Sequence, residues 1–266
     1  MQCLSRYLEK LDEIQLLANA AQESLNSRKG VERIQANAIT RSALVLLCGY
    51  LEGFIRDLIT ELTENINDAN PPIEKLSPRL IFFAVEDELN NLREGRASND
   101  FLGISRNAMP IKLNYKKLAK TGGNPTVDTI EGLFACFGIA TAVDTLSVRD
   151  FGVESTFVLE SQITDRTREK IRSIVEPHAG AHTMEALAGI VETLEQCWNS
   201  KTKRRPVGYV GGIEELLKRR NRIAHGEGDE PVTPGDLGAA IVLVRGLFAG
   251  LTELADKQLE LLVGGG

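Results

Sequence analysis

The feature that most constrains the fold is a stretch of apolar residues with helical spacing between Ala43 and Leu62. Apolar positions recur there at intervals of three and four residues, and together they cover most of a helix surface. They are Leu44, Leu47, Cys48, Leu51, Phe54, Ile55, Leu58, Ile59 and Leu62. A helix that is apolar on most sides must be buried on most sides, which predicts the central helix of a bundle over residues 31–67.

The remaining chain is also mostly helical in pattern. Further helices are predicted over 4–29, 77–93, 127–138, 164–176, 183–199, 213–224 and 233–263. Ser77 before Pro78 predicts one helix start, and Thr233-Pro234-Gly235-Asp236 predicts a capping box at another. Asn70-Pro71-Pro72 interrupts the long helix. The fold class predicted is therefore all-α: an up-down helical bundle forming one domain over residues 1–266.

The middle of the chain departs from this helical pattern. Residues 96–126 are rich in Gly, Asn, Ser and Pro, and polar and apolar residues alternate over 109–115. This composition predicts a loop with one short strand. We interpret residues 96–160 as an approximate insertion into the bundle, which could serve substrate choice or the docking of a partner protein.

Composition limits the classes of function. The net charge is −6, so the chain cannot coat nucleic acid non-specifically, and any such contact needs a local basic patch. The four cysteines are far apart and form no Cys-x-x-Cys, which argues against a disulfide framework. We interpret Cys48 and Cys136 as reduced core thiols and expect a cytoplasmic protein. No apolar signal core and no uninterrupted 18-residue apolar stretch is present, so no membrane association is expected.

The most informative segment for chemistry runs from residue 213 to 226. On a helical projection Ile213, Leu216, Leu217 and Ala224 form one apolar stripe, and Arg220 falls on that stripe. A guanidinium in such a position is costly unless it is paired or faces a cleft or an interface. Arg222 projects to the opposite, solvated side. Asn221 and His225 lie together on the flank, about 40° apart.

These residue types suit metal-free cleavage of RNA. An imidazole transfers protons near neutral pH, and a guanidinium binds a phosphate and stabilises the charge that develops on it. RNA supplies its own nucleophile, the 2′-hydroxyl group. Arg220 and His225 are therefore sufficient in kind for this reaction, with no cofactor and no metal.

The residues Arg220-Asn221-Arg222-Ile223-Ala224-His225 match the R-N-x-x-x-H signature of HEPN domains, which the sequence resembles. HEPN domains are helical bundles, many of which are toxin or defence RNases. Residues 41–59 also resemble the first long helix of a bacterial HEPN-like nuclease group. The resemblance is close over 213–226 and loose over most of the chain.

This resemblance implies a function and its partners. It implies an endoribonuclease toxin or anti-phage effector whose site lies in the cleft of a homodimer, and cleavage that leaves 2′,3′-cyclic phosphate and 5′-OH ends. Arg220 would bind the scissile phosphate, His225 would move the proton and Asn221 would orient the reacting groups. An antitoxin or another defence-operon protein is the expected inhibitory partner.

Basic residues concentrate next to the motif. Residues 201–222 contain eight Lys or Arg and two Asp or Glu, a net charge of +6, whereas the rest of the chain carries −12 (23 minus 35). Six of these cations are candidates for contacts with RNA: Lys201, Lys203, Arg204, Arg205, Lys218 and Arg219. The alternative for the run over 201–205 is an ordinary solvated loop.

Three other features have competing interpretations. Arg41 and Glu52 share one side of the long helix and could brace Arg220, although ordinary charges at the edge of an apolar face would have the same spacing. His178 and His182 are four residues apart, but Pro177 and Gly180 favour a loop and no third metal ligand is evident. Gly122-Gly123 lacks the Lys-Ser/Thr of a phosphate loop and predicts a turn.

Two alternatives to catalysis remain open for the whole chain. His225 could simply end its helix by bonding the last carbonyl groups. HEPN bundles without activity also exist, so the chain could be a catalytically silent helical module that binds a partner protein or a nucleotide.

Overall fold

The computed structural model describes residues 1–26, 30–94, 112–159, 165–176, 187–191, 202–226 and 231–263. Its helices are α1 (Cys3–Asn26), α2 (Gly30–Ala69), α3 (Pro78–Arg93), α4 (Tyr115–Leu118), α5 (Val127–Cys136), α6 (Ala142–Phe151), α7 (Asp165–Val175), α8 (Gly208–His225) and α9 (Pro234–Val263). A 3₁₀ turn covers Ile73–Lys75, and the strands are β1 (Phe157–Leu159) and β2 (Thr202–Arg204). By its internal packing the chain divides into two compact units, residues 1–153 with 207–266 and residues 154–206.

The core of the first unit forms where α1, α2 and α9 pack together. Phe54 of α2 and Phe248 of α9 stack with ring centroids 3.8 Å apart, and Tyr7 of α1 meets both rings edge-on. The whole apolar face predicted for α2, from Leu44 to Leu62, is buried. These contacts confirm the all-α bundle and the central place of α2.

Polar pairs at the rim of this core show the relative directions of the helices. Glu13 of α1 accepts a hydrogen bond from Tyr50, and Asp57 accepts one from Tyr7, so α1 and α2 run antiparallel. Arg245 of α9 pairs with Asp12 at 2.6 Å. The up-down arrangement expected from the sequence is therefore present.

The predicted helix starts are also confirmed. The Ser77 hydroxyl accepts a hydrogen bond from the amide of Leu80 at the start of α3. At the start of α9 the Thr233 hydroxyl accepts from the amide of Asp236, and the Asp236 carboxylate accepts from the amide of Thr233. This reciprocal capping box satisfies amide groups that the first turn of a helix otherwise leaves unpaired.

The structure differs from the sequence prediction at the motif helix. α8 begins at Gly208, not at Ile213, and Gly211-Gly212 lies inside it. Tyr209 and Val210 are buried and anchor the extra turn. A Cβ atom on Gly212 would lie 2.1 Å from Cδ1 of Leu243, so this glycine permits close packing with α9.

Other local predictions need correction as well. α6 lies between two predicted helices, where the sequence pattern predicted none, and its Val143 and Leu146 are buried at helical spacing. Most of the predicted strand over 109–115 lies outside the described residues. In its described part, residues 112–114 have no regular structure and Tyr115 begins α4.

The second unit contains β1, β2 and α7. β1 pairs antiparallel with β2, with Phe157 opposite Arg204 and Leu159 opposite Thr202. Residues 187–191 are helical, and Gly189 packs against Ile174 of α7. The segment that packs separately thus begins at residue 154, whereas residues 112–153 belong to the first unit. An insertion over about 96–160 remains a prediction.

Two helices, Glu32–Ala69 and Pro234–Val263, are long and apolar enough to cross a membrane by length and composition alone. About half of each apolar window, 50% and 44%, is buried inside the bundle. The buried residues of these two helices, Phe54 and Phe248 among them, belong to the core. Cys48 is a buried free thiol, as expected, whereas Cys136 is only half-buried.

Candidate functional site

The N-terminal end of the motif helix α8 is anchored by Tyr209. Its amide donates to the hydroxyl of Ser147, and its phenol donates to Asp150 at 2.8 Å. The ring also packs edge-on against Phe151. Burial and the hydrogen bond to Asp150 both raise the pKa of the Tyr209 phenol above its usual range, so the phenol stays protonated as a donor.

The middle of α8 packs against α2. Ile213, Leu216 and Leu217 are buried, as the apolar stripe predicted. The Cys48 thiol lies 3.9 Å from the carbonyl oxygen of Leu216, which places α8 directly on α2. Burial raises the pKa of the Cys48 thiol to about 12, and the nearby Arg220 guanidinium acts in the opposite direction. Because Arg220 follows Leu216 by four residues, it lies one turn further along the same side of α8.

The last turn of α8 extends beyond the core. Ala224, predicted on the apolar stripe, is exposed, and Ile223 is the residue that packs half-buried against the core instead. Arg222, predicted to be solvated, is half-buried. Gly226 ends the helix in the left-handed conformation with φ +67°, which glycine adopts without strain.

The Arg220 side chain is half-buried and is oriented by its neighbour in the motif. Its Nη1 donates to Oδ1 of Asn221 at 3.1 Å. Among the described residues Arg220 has no carboxylate partner, so its positive charge is not neutralised there. Because Asn221 lies one helical turn before His225, this bond holds the guanidinium beside the face that carries the imidazole.

His225 occupies the last position of α8 and is exposed. Within the described part of the chain its ring makes no hydrogen bond. The end of α8 therefore carries three groups. They are the guanidinium of Arg220, which can bind a phosphate, the amide of Asn221 and the exposed imidazole of His225. That set can hold an anion and transfer a proton.

The two other predicted RNA contacts on α8 differ in whether their charge is already paired. Lys218 is exposed on α8. Arg219 is engaged by two carboxylates, with Nε 2.8 Å from Glu215 and Nη1 3.5 Å from Asp236. These ion pairs raise the pKa of Arg219, Glu215 contributing most.

The basic run over 201–205 belongs to the second unit and is not simply a loop. Lys203 and Arg204 lie on β2, and the Arg204 guanidinium covers the ring of Phe157 at 5.1 Å. Arg205 is exposed and donates to the backbone oxygen of Ser155. Lys201 lies outside the described residues.

The two residues proposed to brace Arg220 lie on α2. Arg41 is half-buried at the margin of the apolar face. The Glu52 carboxylate accepts a hydrogen bond from Thr121 at 3.0 Å, and within the described residues it forms no hydrogen bond or ion pair with α8. The bracing role of both residues stays a prediction.

The described residues contain no cluster that could hold a metal ion, while His178 and His182 lie outside them. Gly122 and Gly123 adopt positive φ angles of 73° and 104°, as a turn requires.

Comparison with known proteins decides the family. The sequence model of the family described as RiboL-PSP-HEPN matches residues 5–147, more than half of the 266 residues. The chain belongs to the HEPN family. The match includes α1 and α2 but ends before α8, so the motif at Arg220–His225 is an observation separate from it. No curated protein and no solved structure matches the chain.

Two tertiary contacts near the HEPN motif helix, made by Thr40 and by Asp236, could not be predicted from the sequence. Thr40 of α2 donates its hydroxyl proton to the carbonyl oxygen of Val232 at 2.6 Å, which ties the residues just before α9 to α2. Asp236 was predicted only as a cap, and it also meets Arg219. The capping pattern marks Asp236 in the sequence, but no local signal marks either tertiary contact.

Proposed function

We propose that this HEPN protein is a metal-independent endoribonuclease that uses Arg220, Asn221 and His225. The observation that carries the proposal is the hydrogen bond between Arg220 and Asn221. This bond holds the Arg220 guanidinium next to the helix face that carries His225. Among the described residues the guanidinium has no carboxylate partner. Such a cation is available for a phosphate, and an exposed imidazole is available for the proton of a ribose hydroxyl.

The proposed reaction balances with these groups alone. The 2′-hydroxyl oxygen attacks the phosphorus atom and forms the 2′,3′-cyclic phosphate, while the bond from phosphorus to the 5′ oxygen breaks. Neutral His225 takes the proton from the 2′-hydroxyl group, and an imidazolium returns a proton to the 5′ oxygen. Arg220 stabilises the added negative charge on the phosphate oxygens, and Asn221 orients the guanidinium.

The proposal includes a homodimer. HEPN domains often bind RNA and form dimers, and two copies of α8 would supply two imidazoles, one to accept a proton and one to donate it. We further propose a cytoplasmic toxin or defence effector held inactive by an antitoxin or another defence-operon protein, since an uncontrolled RNase harms its own cell. No membrane partner is proposed.

A second candidate function is a silent binding module. The ion pairs of Arg219 favour it in part, because they withdraw one of the predicted RNA contacts from the surface next to the motif. Such a module would bind a partner protein or a nucleotide through Arg220 and would turn over no substrate.

The test compares two arginines of the same helix turn. Purified parent, Arg220→Ala and Arg222→Ala proteins are incubated with total RNA in EDTA, and far-UV circular dichroism verifies that each is folded. We expect Arg220→Ala to lose about 10²-fold or more in cleavage rate, because a preorganised charge on the reacting group is removed. Arg222→Ala should cut like the parent. Equal rates for all three proteins would refute the assignment of Arg220.

A further inference from the structure

A bridge of side chains joins the motif helix to the helix that follows it. Nε of Arg219 lies 2.8 Å from Oε1 of Glu215, and Nη1 lies 3.5 Å from Oδ2 of Asp236. The same Oδ2 atom accepts hydrogen bonds from the amide and the hydroxyl of Thr233. Arg219 therefore connects the last turns of α8 to the first turn of α9.

This bridge borders an apolar groove of about 230 Å³. Leu44, Leu216 and Leu243 line the groove, and Glu215, Arg219 and Asp236 stand beside them. The side chains of Glu215 and Asp236 are 53% and 40% exposed, so solvent screens these ion pairs and they orient Arg219 more than they stabilise the fold. The hydrogen bonds from Thr233, followed by the charge of Arg219, hold the pKa of Asp236 below its usual range, so Asp236 stays ionised near neutral pH.

The part of α8 beyond this bridge has one apolar contact with the core, that of the half-buried Ile223. After Leu217 no residue of α8 is buried, and Ala224 and His225 are exposed. The Gly226 amide donates to the carbonyl groups of Arg222 and Ile223, but a helix end with so few core contacts frays more readily than the buried turns before it. Arg219 stands immediately before Arg220 and is therefore placed to hold this end.

We propose that Asp236 is a positioning residue that fixes Arg220 and His225 through Arg219, and that Arg219 is not an RNA contact. This inference rests on the function proposed above, and it replaces the sequence-based role of Arg219. A displacement of reacting groups by about 1 Å can cost about 10²-fold in rate, so even a small loosening of this helix end should be measurable.

The experiment uses the full chain and four variants. Asp236→Asn removes the charge but leaves an oxygen that can still accept from Thr233. Arg219→Gln removes the bridge, and Arg219→Lys keeps a cation for Asp236 and Glu215. Glu253→Gln is the matched control, because it removes a different carboxylate of α9 that pairs with Arg149 and Lys257.

Two readouts separate positioning from RNA binding. Asp236→Asn and Arg219→Gln should lower kcat by about tenfold at unchanged KM, with the salt dependence of KM unchanged. Arg219→Lys should retain most of kcat, and Glu253→Gln should match the parent. If Arg219 contacted a phosphate, Arg219→Gln would instead raise KM and reduce the salt slope by about 1, whereas Asp236→Asn would leave kcat intact. That pattern would overturn the proposal.

Hydrogen exchange of the backbone amides in residues 219–226 gives a test that needs no activity. We expect faster exchange in Asp236→Asn and Arg219→Gln than in the parent and in Glu253→Gln. Unchanged exchange would overturn the proposal whether or not the protein cuts RNA. Faster exchange in a protein that cuts no RNA would refute the reaction and retain the bridge as the contact that orders Arg220 and His225.

Discussion

Two glycines of α2 provide a matched pair for testing the packing of the bundle. Gly49 and Gly53 lie one turn apart inside the same helix. A Cβ atom on Gly49 would meet no heavy atom within 4 Å, whereas one on Gly53 would lie 2.5 Å from the phenol oxygen of Tyr7. The same substitution to alanine should therefore have opposite effects at the two positions.

The magnitudes follow from the contacts. Glycine inside a helix costs about 1 kcal/mol relative to alanine, so Gly49→Ala should stabilise the protein by about that amount. Gly53→Ala has the same gain but must displace Tyr7, which is buried and donates to Asp57 at 2.9 Å. Overpacking costs about 1–3 kcal/mol, and a hydrogen bond to a charged group contributes about 1.5–3 kcal/mol. Together these costs are about 2.5–6 kcal/mol, and the gain of about 1 kcal/mol leaves a net destabilisation by Gly53→Ala of about 1.5–5 kcal/mol.

The assay is urea unfolding followed by circular dichroism at 222 nm, with Tyr7→Phe as a third substitution. Tyr7→Phe removes the oxygen that Gly53→Ala would strike, so the double variant should lose less stability than the sum of the two single variants. Equal stabilisation by Gly49→Ala and Gly53→Ala would refute the close approach of Tyr7 to α2. Strict additivity in the double variant would refute the role of the phenol oxygen.

Three further predictions concern stability and assembly. Thr40→Val should destabilise the fold by about 1–3 kcal/mol, because the buried carbonyl group of Val232 loses its donor; urea unfolding measures this. Burial first, and then hydrogen bonds to Asp57 and Asp150, raise the pKa values of Tyr7 and Tyr209 in the folded state. Their contribution to stability is therefore complete below about pH 10, the value for an unfolded chain, and is lost as pH rises through the folded pKa values; unfolding midpoints at pH 9 and 11 test this. Analytical ultracentrifugation at micromolar concentration should give twice the mass of one chain, and a monomer would contradict the shared site.

The bundle could be predicted from the sequence because its signals are local. The spacing from Leu44 to Leu62 requires burial on most sides, and Ser77 and Thr233 are capping residues next to the helices that they begin. The start of α8 could not be predicted in this way. Gly211-Gly212 has the local pattern of a helix boundary, but close packing with Leu243 places it inside the helix.

The candidate site was predictable to a similar depth. Arg220, Asn221 and His225 share one helix end because their spacing puts them there. The ion pair between Arg219 and Asp236 joins residues on different helices, and local spacing carries no information about it. The pairing of β1 with β2 is likewise a contact between distant parts of the chain, so the basic strand at Thr202–Arg204 had the sequence pattern of a solvated loop.

The most direct test of the central claim is RNA cleavage by the His225→Ala variant. The parent, His225→Ala and His178→Ala as a control of the same residue type are incubated with total RNA in EDTA, and the fragment ends are analysed. The account predicts 2′,3′-cyclic phosphate ends from the parent and from His178→Ala, and a rate lower by about 10²–10⁴-fold for His225→Ala. Cleavage by His225→Ala at the parental rate, or no cleavage by the parent dimer, would contradict it.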